Sequence, residues 1–267
     1  MTMPKNLILV RHGESEGNVA VKASKKQGDD RHYTDEFLGR HSSNWRLSNK
    51  GIRDAEAAGE WLRANFPRFG RYYTSEYLRA RETAGLLGLE GANWMRELHL
   101  RERDRGLLDV VSHSVLTTKF QEELKRQGRS TLFWTPLAGE SMADVCMRVY
   151  KILDTLHREC TDTDVIIVCH GEVMWAFRLC LERMPQERWL ELDASTDEAD
   201  KIYNGQIIHW TREDPATGEL SKHLDWMRMI RADDESFSRA WRQVVRPRFS
   251  NEELLAEVRR TPRIVSG

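Results

Sequence analysis

Apolar and polar positions alternate along the chain in two rhythms, one of strand length and one of helical period. Leu7–Val10 is an uninterrupted apolar run, the pattern of a strand covered on both faces. DVIIVC (Asp164–Cys169) is a second such run and the strongest in the chain. RYYTS (Arg71–Ser75) predicts another strand, and Leu98–Glu102 a further one. Between these runs the spacing turns helical. Ser48 is a candidate N-cap, followed by Ile52, Ala55, Gly59, Leu62 and Phe66 on one face. Met142, Val145, Val149, Ile152 and Leu156 mark a second amphipathic helix just before DVIIVC. QIIHWTR and HLDWMRMI, with PATG between them, predict a closing hairpin.

Strands alternating with helices predict an α/β fold: a three-layer sandwich with a mostly parallel central sheet flanked by helices, plus a small helical cap insertion. The polar stretch Lys22–Asn44 lacks a periodic apolar face and is expected to form a long lid loop. Segment 107–138 is partly helical without a sheet pattern, which predicts the cap. Residues 1–230 then form one α/β domain, and 231–267, charged with scattered aromatics, a helical appendage packed outside it.

Composition narrows the partners. Of 267 residues, 41 are Lys or Arg and 42 are Asp or Glu, so the formal net charge is −1 and no global basic field exists to hold nucleic acid or an anionic membrane. An anionic ligand must meet local positive charge. No segment approaches the ~18 consecutive apolar residues of a membrane helix, and the start carries no secretory signal pattern. The four cysteines, Cys146, Cys160, Cys169 and Cys180, show no paired spacing. That usage suits a reducing compartment, and a cytoplasmic location is expected. Tryptophans in the cap and tail leave a homodimer open.

Ligands of open α/β sheets sit beyond the carboxyl ends of the strands. There the chain places Arg11-His12-Gly13 directly after the first apolar run, and His170-Gly171 directly after DVIIVC. A lone histidine in such a place is most often a satisfied loop residue; two at the same edge point to a site. Arg79 falls in the first turn of the helix after RYYTS, where the helix dipole disfavours a cation unless an anion binds beside it. Arginine suits a tetrahedral oxyanion, since its planar fork donates two parallel hydrogen bonds. No H-E-x-x-H, H-x-H or Cys/His spacing suggests a metal. Cys169 is expected to point away from His170 as a small buried apolar residue.

RHGESEGN resembles the signature of the histidine phosphatase (phosphoglycerate mutase-like) superfamily. SEYLRARETA, LRERDRG, VCHGE, LSNKGIRDA and GESMADV resemble further elements of that family, and they occur in its order between Leu7 and Leu181. The resemblance implies that His12 is a nucleophile forming a phosphohistidine, without any cofactor. It implies that Arg11, Arg79 and His170 hold phosphate with Asn18 as a supporting donor, and that Glu102 is the acid and then the base. Asp104 is the rival acid, set aside on the family pattern and on the opposite facing of alternate strand residues.

Arg105 and Glu172 depart from the family pattern, where an aromatic or similar residue and a small or neutral one are commoner. Within the family the phosphatase branch is expected, acting on a small phosphorylated substrate. Segment 107–138 is shorter than the basic cap of the mutases, and its clustered cations are little more than Lys125, Arg126 and Arg129. A phosphoglycerate mutase and a non-catalytic binding protein on the same fold are the alternatives.

Overall fold

The computed structural model describes residues 2–265. Strand β1 (Asn6–Arg11) leads into helices α1 (Glu16–Gln27), α2 (Asp35–Leu38) and α3 (Asn49–Asn65). Next come β2 (Arg71–Ser75), α4 (Leu78–Leu86) and β3 (Trp94–Glu97), then α5 (His113–Lys119) and α6 (Gln121–Arg129), both within the segment expected to form a cap. The core resumes with α7 (Met142–Glu159), β4 (Asp164–Cys169), α8 (Gly171–Glu182) and α9 (Gln186–Ala194). It closes with β5 (Ile207–Thr211), β6 (Trp226–Ile230), β7 (Arg242–Gln243) and α10 (Asn251–Arg259).

The sheet order is β3-β2-β4-β1-β5-β6-β7. The first four strands are mutually parallel, and β5, β6 and β7 each pair antiparallel with the neighbour before them. This is the expected α/β sandwich with a mostly parallel core. Successive residues of β1 feed opposite faces. Leu7 and Leu9 join the α7 and α8 layer, while Ile8 and Val10 pack with Ala58 and Leu62 of α3 and Ala80 and Ala84 of α4. All four β1 residues are fully buried, as periodicity without alternation requires. Burying a side chain of this size contributes roughly 1.5–3 kcal/mol each.

Register places the chemistry. Arg11 pairs with Cys169, so His12 and His170 leave the sheet side by side, one residue beyond paired positions. Thr74 pairs with Val168, which brings Ser75 alongside.

Three expectations change. The third strand is Trp94–Glu97, not Leu98–Glu102. Its partner β2 ends at Ser75, opposite Glu97, so the ladder runs out there and Leu98–Leu100 coils into a 3-10 turn. Glu102 therefore lies on a loop, and the alternation argument against Asp104 falls away, since residues two apart share a face even on a strand. The stretch Lys22–Asn44 is not a long loop: α1 runs through Gln27, and α2 and a turn at Ser42–Asn44 follow. The tail carries helix α10, and it also adds β7 to the sheet through Met227↔Arg242. Among the described residues no helix is long and apolar enough to cross a membrane.

Candidate active site

The turn after β1 is held by backbone-to-backbone packing. A Cβ on Gly13 would stand 2.1 Å from the Gly51 carbonyl oxygen, so only glycine lets the start of α3 close on the Arg11-His12-Gly13 turn. Gly13 N–H donates to Thr83 Oγ1 at 3.1 Å, and Thr83 Oγ1 donates to the Arg79 carbonyl. One threonine thus ties the turn to α4.

His12 is 2% exposed and its tautomer is determined by its neighbours. Nδ1 lies 2.7 Å from the Gly13 carbonyl, which can only accept, so Nδ1 carries the proton. Nε2 receives Arg79 Nε at 3.1 Å, and a guanidinium can only donate, so Nε2 offers a lone pair. Burial, then Arg79 and Arg11, holds the imidazole well below its ordinary pKa. It is neutral at physiological pH.

His170 is fully buried, edge-on to His12 with ring centroids 5.1 Å apart, and Tyr77 packs on it at the same distance. Its Nε2 is 2.8 Å from Ser75 Oγ, while its Nδ1 is buried without a partner. Burial, then Arg79, His12 and Arg11, keeps it neutral too.

Arg11 Nη1 is anchored on the Ile202 carbonyl at 2.5 Å, and its Nε is a second buried atom without a partner. A Cβ on Gly171 would meet that Nε at 3.2 Å, so glycine lets the guanidinium lie against the start of α8. Arg79 is 5% exposed and anchored by Nη1 on the Ser42 carbonyl. Neither Tyr77 nor His170, the N-cap residues of α4 and α8, caps its helix through a side chain. Two helix N-termini and two guanidiniums with unspent donors converge here, which is the electrostatics of an oxyanion site.

Asn18 sits one turn into α1, where its side chain completes a capping box with Ser15. Its Oδ1 accepts from Ser15 N, Ser15 Oγ and Asn204 Nδ2, which leaves the amino group as the donor available to the cleft it lines. Glu102 lines the same cleft, of about 460 Å³, and accepts from Arg103 N–H at 2.9 Å. Burial and the neighbouring Glu172 raise its pKa, against the opposing pull of Arg79 and Arg11. Asp104 is exposed, with Oδ1 accepting from Gly106 N–H in its own turn, and does not line the cleft. The structure therefore brings together His12, His170, Arg11, Arg79, Asn18 and Glu102, and leaves Asp104 outside.

One nitrogen of each histidine and one Glu102 oxygen lie within 4.8 Å of one another, a spacing that ligates metals elsewhere. Here the set lies against Arg11 and Arg79, whose charge repels a cation and attracts an anion. Cys169 is buried and its thiol is pushed up by burial, so it stays protonated.

Two supporting residues are not among the site residues expected from the sequence. Asn204 donates to both the His12 carbonyl and Asn18. Glu140, inside the GESMADV segment, receives Arg101, Arg148 and Asp104 N–H and so holds the loop that presents Glu102.

A sequence model described as the histidine phosphatase superfamily (branch 1) matches residues 7–202. The chain belongs to that superfamily. The 2,3-bisphosphoglycerate-dependent phosphoglycerate mutase of Azorhizobium caulinodans is 30% identical over 200 residues, covering 73% of this chain and 89% of that one. Its counterpart in Allorhizobium ampelinum is 28% identical over 203 residues, covering 73% and 87%. Among solved structures, a mycobacterial glucosyl-3-phosphoglycerate phosphatase complexed with VO3 aligns with a TM-score of 0.60 at 23% identity, over 77% of this chain and 92% of its own. The alpha-ribazole phosphatase of Shigella flexneri aligns with a TM-score of 0.61 at 20% identity, over 82% and 95%. At such identities the solved structures speak for the fold. The family member described here is thus a histidine phosphatase-type enzyme whose sequence relatives carry a mutase name and whose structural neighbours carry phosphatase names.

Proposed function

We propose that the protein is a metal-independent phosphomonoester hydrolase working through phospho-His12. The observation that carries the reading is the buried pair of guanidiniums around a histidine whose Nε2 is forced to be a lone pair. In the first step, Nε2 forms a bond to phosphorus while the ester P–O bond breaks. Arg79 Nε shifts from the imidazole to a phosphate oxygen as phosphorus arrives. The proton on Glu102 passes to the departing alkoxide, a role that suits a carboxyl of raised pKa. In the second step, water forms the new P–O bond, the N–P bond breaks and Glu102 takes the water's proton. Arg11 and Arg79 balance charge on the transferring group while neutral His170 offers it a hydrogen bond, so catalysis is positioning and electrostatics.

Hydrolysis is favoured over transfer by the cap. Two of its three clustered cations are spent on its own acids, Lys125 on Glu122 and Arg126 on Glu123, which leaves little basic field to retain a bisphosphorylated intermediate. The second reading, phosphoryl transfer between hydroxyls of phosphoglycerate, is favoured by the names of the sequence relatives. The deciding experiment supplies 3-phosphoglycerate with catalytic 2,3-bisphosphoglycerate in EDTA, with glycerol 3-phosphate in a parallel reaction. Phosphate release faster than formation of 2-phosphoglycerate is expected. Interconversion outpacing release establishes the mutase, and loss of all activity on chelation, restored by a divalent ion, removes the metal-free mechanism.

A further inference from the structure

The two departures from the family pattern meet in space. Arg105 ends the loop that carries Glu102, and Glu172 stands in the first turn of α8, directly after His170-Gly171. Arg105 Nη2 donates to Glu172 Oε1 at 2.5 Å, and Arg103 Nη1 lies 3.7 Å from the same oxygen. All three residues line the cleft that opens over the phosphate clamp.

The remaining cations of this wall are engaged by the protein as well. Arg103 donates to the Glu140 and Trp134 carbonyls, and Lys201 Nζ donates to the Ser195 carbonyl. Asp109 and Asp193 line the same cleft, and neither forms an ion pair among the described residues. The cleft is therefore bipolar. Its floor holds guanidiniums with a buried unpartnered donor, and its mouth holds four acids, Asp109, Glu172, Asp193 and Asp200, against three cations, Arg103, Arg105 and Lys201. Trp175 and Trp189, ring centroids 5.6 Å apart, add an apolar flank to the cleft.

Resting on the hydrolase reading, we propose that this wall selects phosphomonoesters whose alcohol carries no second negative charge, with Glu172 as the specificity-determining residue. The phosphoryl group of any ester is drawn to Arg11 and Arg79. A carboxylate or second phosphate on the alcohol then meets a wall whose Arg105 already holds Glu172 and whose acids outnumber its cations, and like charges face each other. Discrimination of this kind works by repulsion of the wrong ligand rather than by extra contacts to the right one. A neutral polyol or an amino alcohol meets acceptors at Asp109 and Asp193 instead.

Glycerol 3-phosphate and 3-phosphoglycerate make a matched pair, differing only by a hydroxymethyl group in place of a carboxylate. The wild type should favour glycerol 3-phosphate by roughly 10-fold or more in kcat/KM, the scale of one unfavourable charge contact. Glu172→Gln frees Arg105 for the carboxylate and should bring the ratio towards one. Arg105→Gln leaves Glu172 only its longer contact to Arg103 and should widen it. Taking the ratio within each protein cancels any change in Glu102 acidity common to both esters. The same ratio is read as dissociation constants on His12→Ala protein by calorimetry, which needs no turnover. Equal preference in the wild type, or a ratio that the two variants fail to move in opposite directions, overturns the selection. A binding preference of the expected sign without any phosphate release supports the selection and overturns the hydrolase reading.

Discussion

The floor and the mouth of the cleft are built by different means. The floor hangs on the ends of β1 and β4, and its two histidines are 2% and 0% exposed. Its polar side chains are fixed by single partners on the surrounding turns, loops and α4, while Arg11 Nε and His170 Nδ1 stay unpartnered. The mouth is assembled from the loop after β3, the first half of α8, the second half of α9 and the loop that follows it, and apart from Arg103, Trp189, Leu192 and Ile202 its side chains are half-buried or exposed. The floor can hold one kind of group, a tetrahedral oxyanion next to a nucleophile. The mouth can be rebuilt residue by residue without disturbing the sheet. On the proposed reading, reaction chemistry resides in the region fixed by the sheet and substrate choice in the one built from loops and helix surfaces.

The largest effects should come from groups that touch the transferring phosphoryl. Glu102→Gln should slow the phosphorylation step with alkyl phosphates by about 10²–10⁴-fold, the usual worth of general acid catalysis. With p-nitrophenyl phosphate, whose leaving group needs no proton, the same variant should lose far less. Burst amplitudes separate this step from dephosphorylation, and Asp104→Asn is the control. If Asp104→Asn shows the leaving-group dependence and Glu102→Gln does not, the acid is the exposed turn residue.

Arg79→Ala should lower kcat/KM by roughly 10²–10³-fold for every ester, because a preorganised donor to the transferring group is removed. Arg79→Lys should rescue little, since an ammonium cannot reach Ser42 and a phosphate oxygen with a planar fork. Full rescue by lysine would mean that charge alone matters at the floor.

Buried neutral histidines should also make the floor acid-sensitive. Burial first, then nearby arginines, depresses His12 and His170, and burial with Arg228 pushes His209 down to about 3. Unfolded, each binds a proton as pH falls through about 6.5 while the folded form does not. Their contribution is whole above that value and is lost on acidification, up to roughly 1.4 kcal/mol per pH unit each. Urea unfolding at pH 7.5 and 5.5 measures the loss. Equal stability at both would show that these rings take up protons in the folded state.

The smallest effect is expected where the turn after α1 meets the start of α5. Asp30 accepts from Ser24, Ser112 and Ser114, joining the end of α1 to the start of α5. Asp30→Ala should speed amide hydrogen exchange across His113–Lys119 and leave phosphorylation by p-nitrophenyl phosphate within about 3-fold, as expected of a surface contact away from the chemistry. A loss as large as that of Arg79→Ala would place the cap inside the catalytic machinery.

What could be read in the sequence follows the same division. The apolar runs of β1 and β4, with histidines at their ends, announced the floor, because a strand buried on both faces has an unmistakable pattern. Helix α1 stayed hidden because its buried positions are Gly17, Ala20, Ala23 and Ser24, small residues that write no apolar stripe. β3 shifted by several residues because an edge strand stops where its partner stops, and only the pairing with β2 reveals that point. Asn204 was invisible, a single amide in a loop far along the chain. Arg105 and Glu172 were each visible as oddities, but their pairing spans 67 positions and needed three dimensions.

The covalent enzyme is the most direct test. Labelled phosphomonoester mixed with enzyme and quenched without acid should leave one phosphoryl group, labile to acid and stable to base, mapping by peptide mass analysis to His12. His12→Ala should carry none, and Arg79→Ala should accumulate it slowly at the same position. Label that persists in His12→Ala, or turnover in the wild type with no trapped phosphoryl under single-turnover conditions, would contradict a phosphohistidine mechanism at this site.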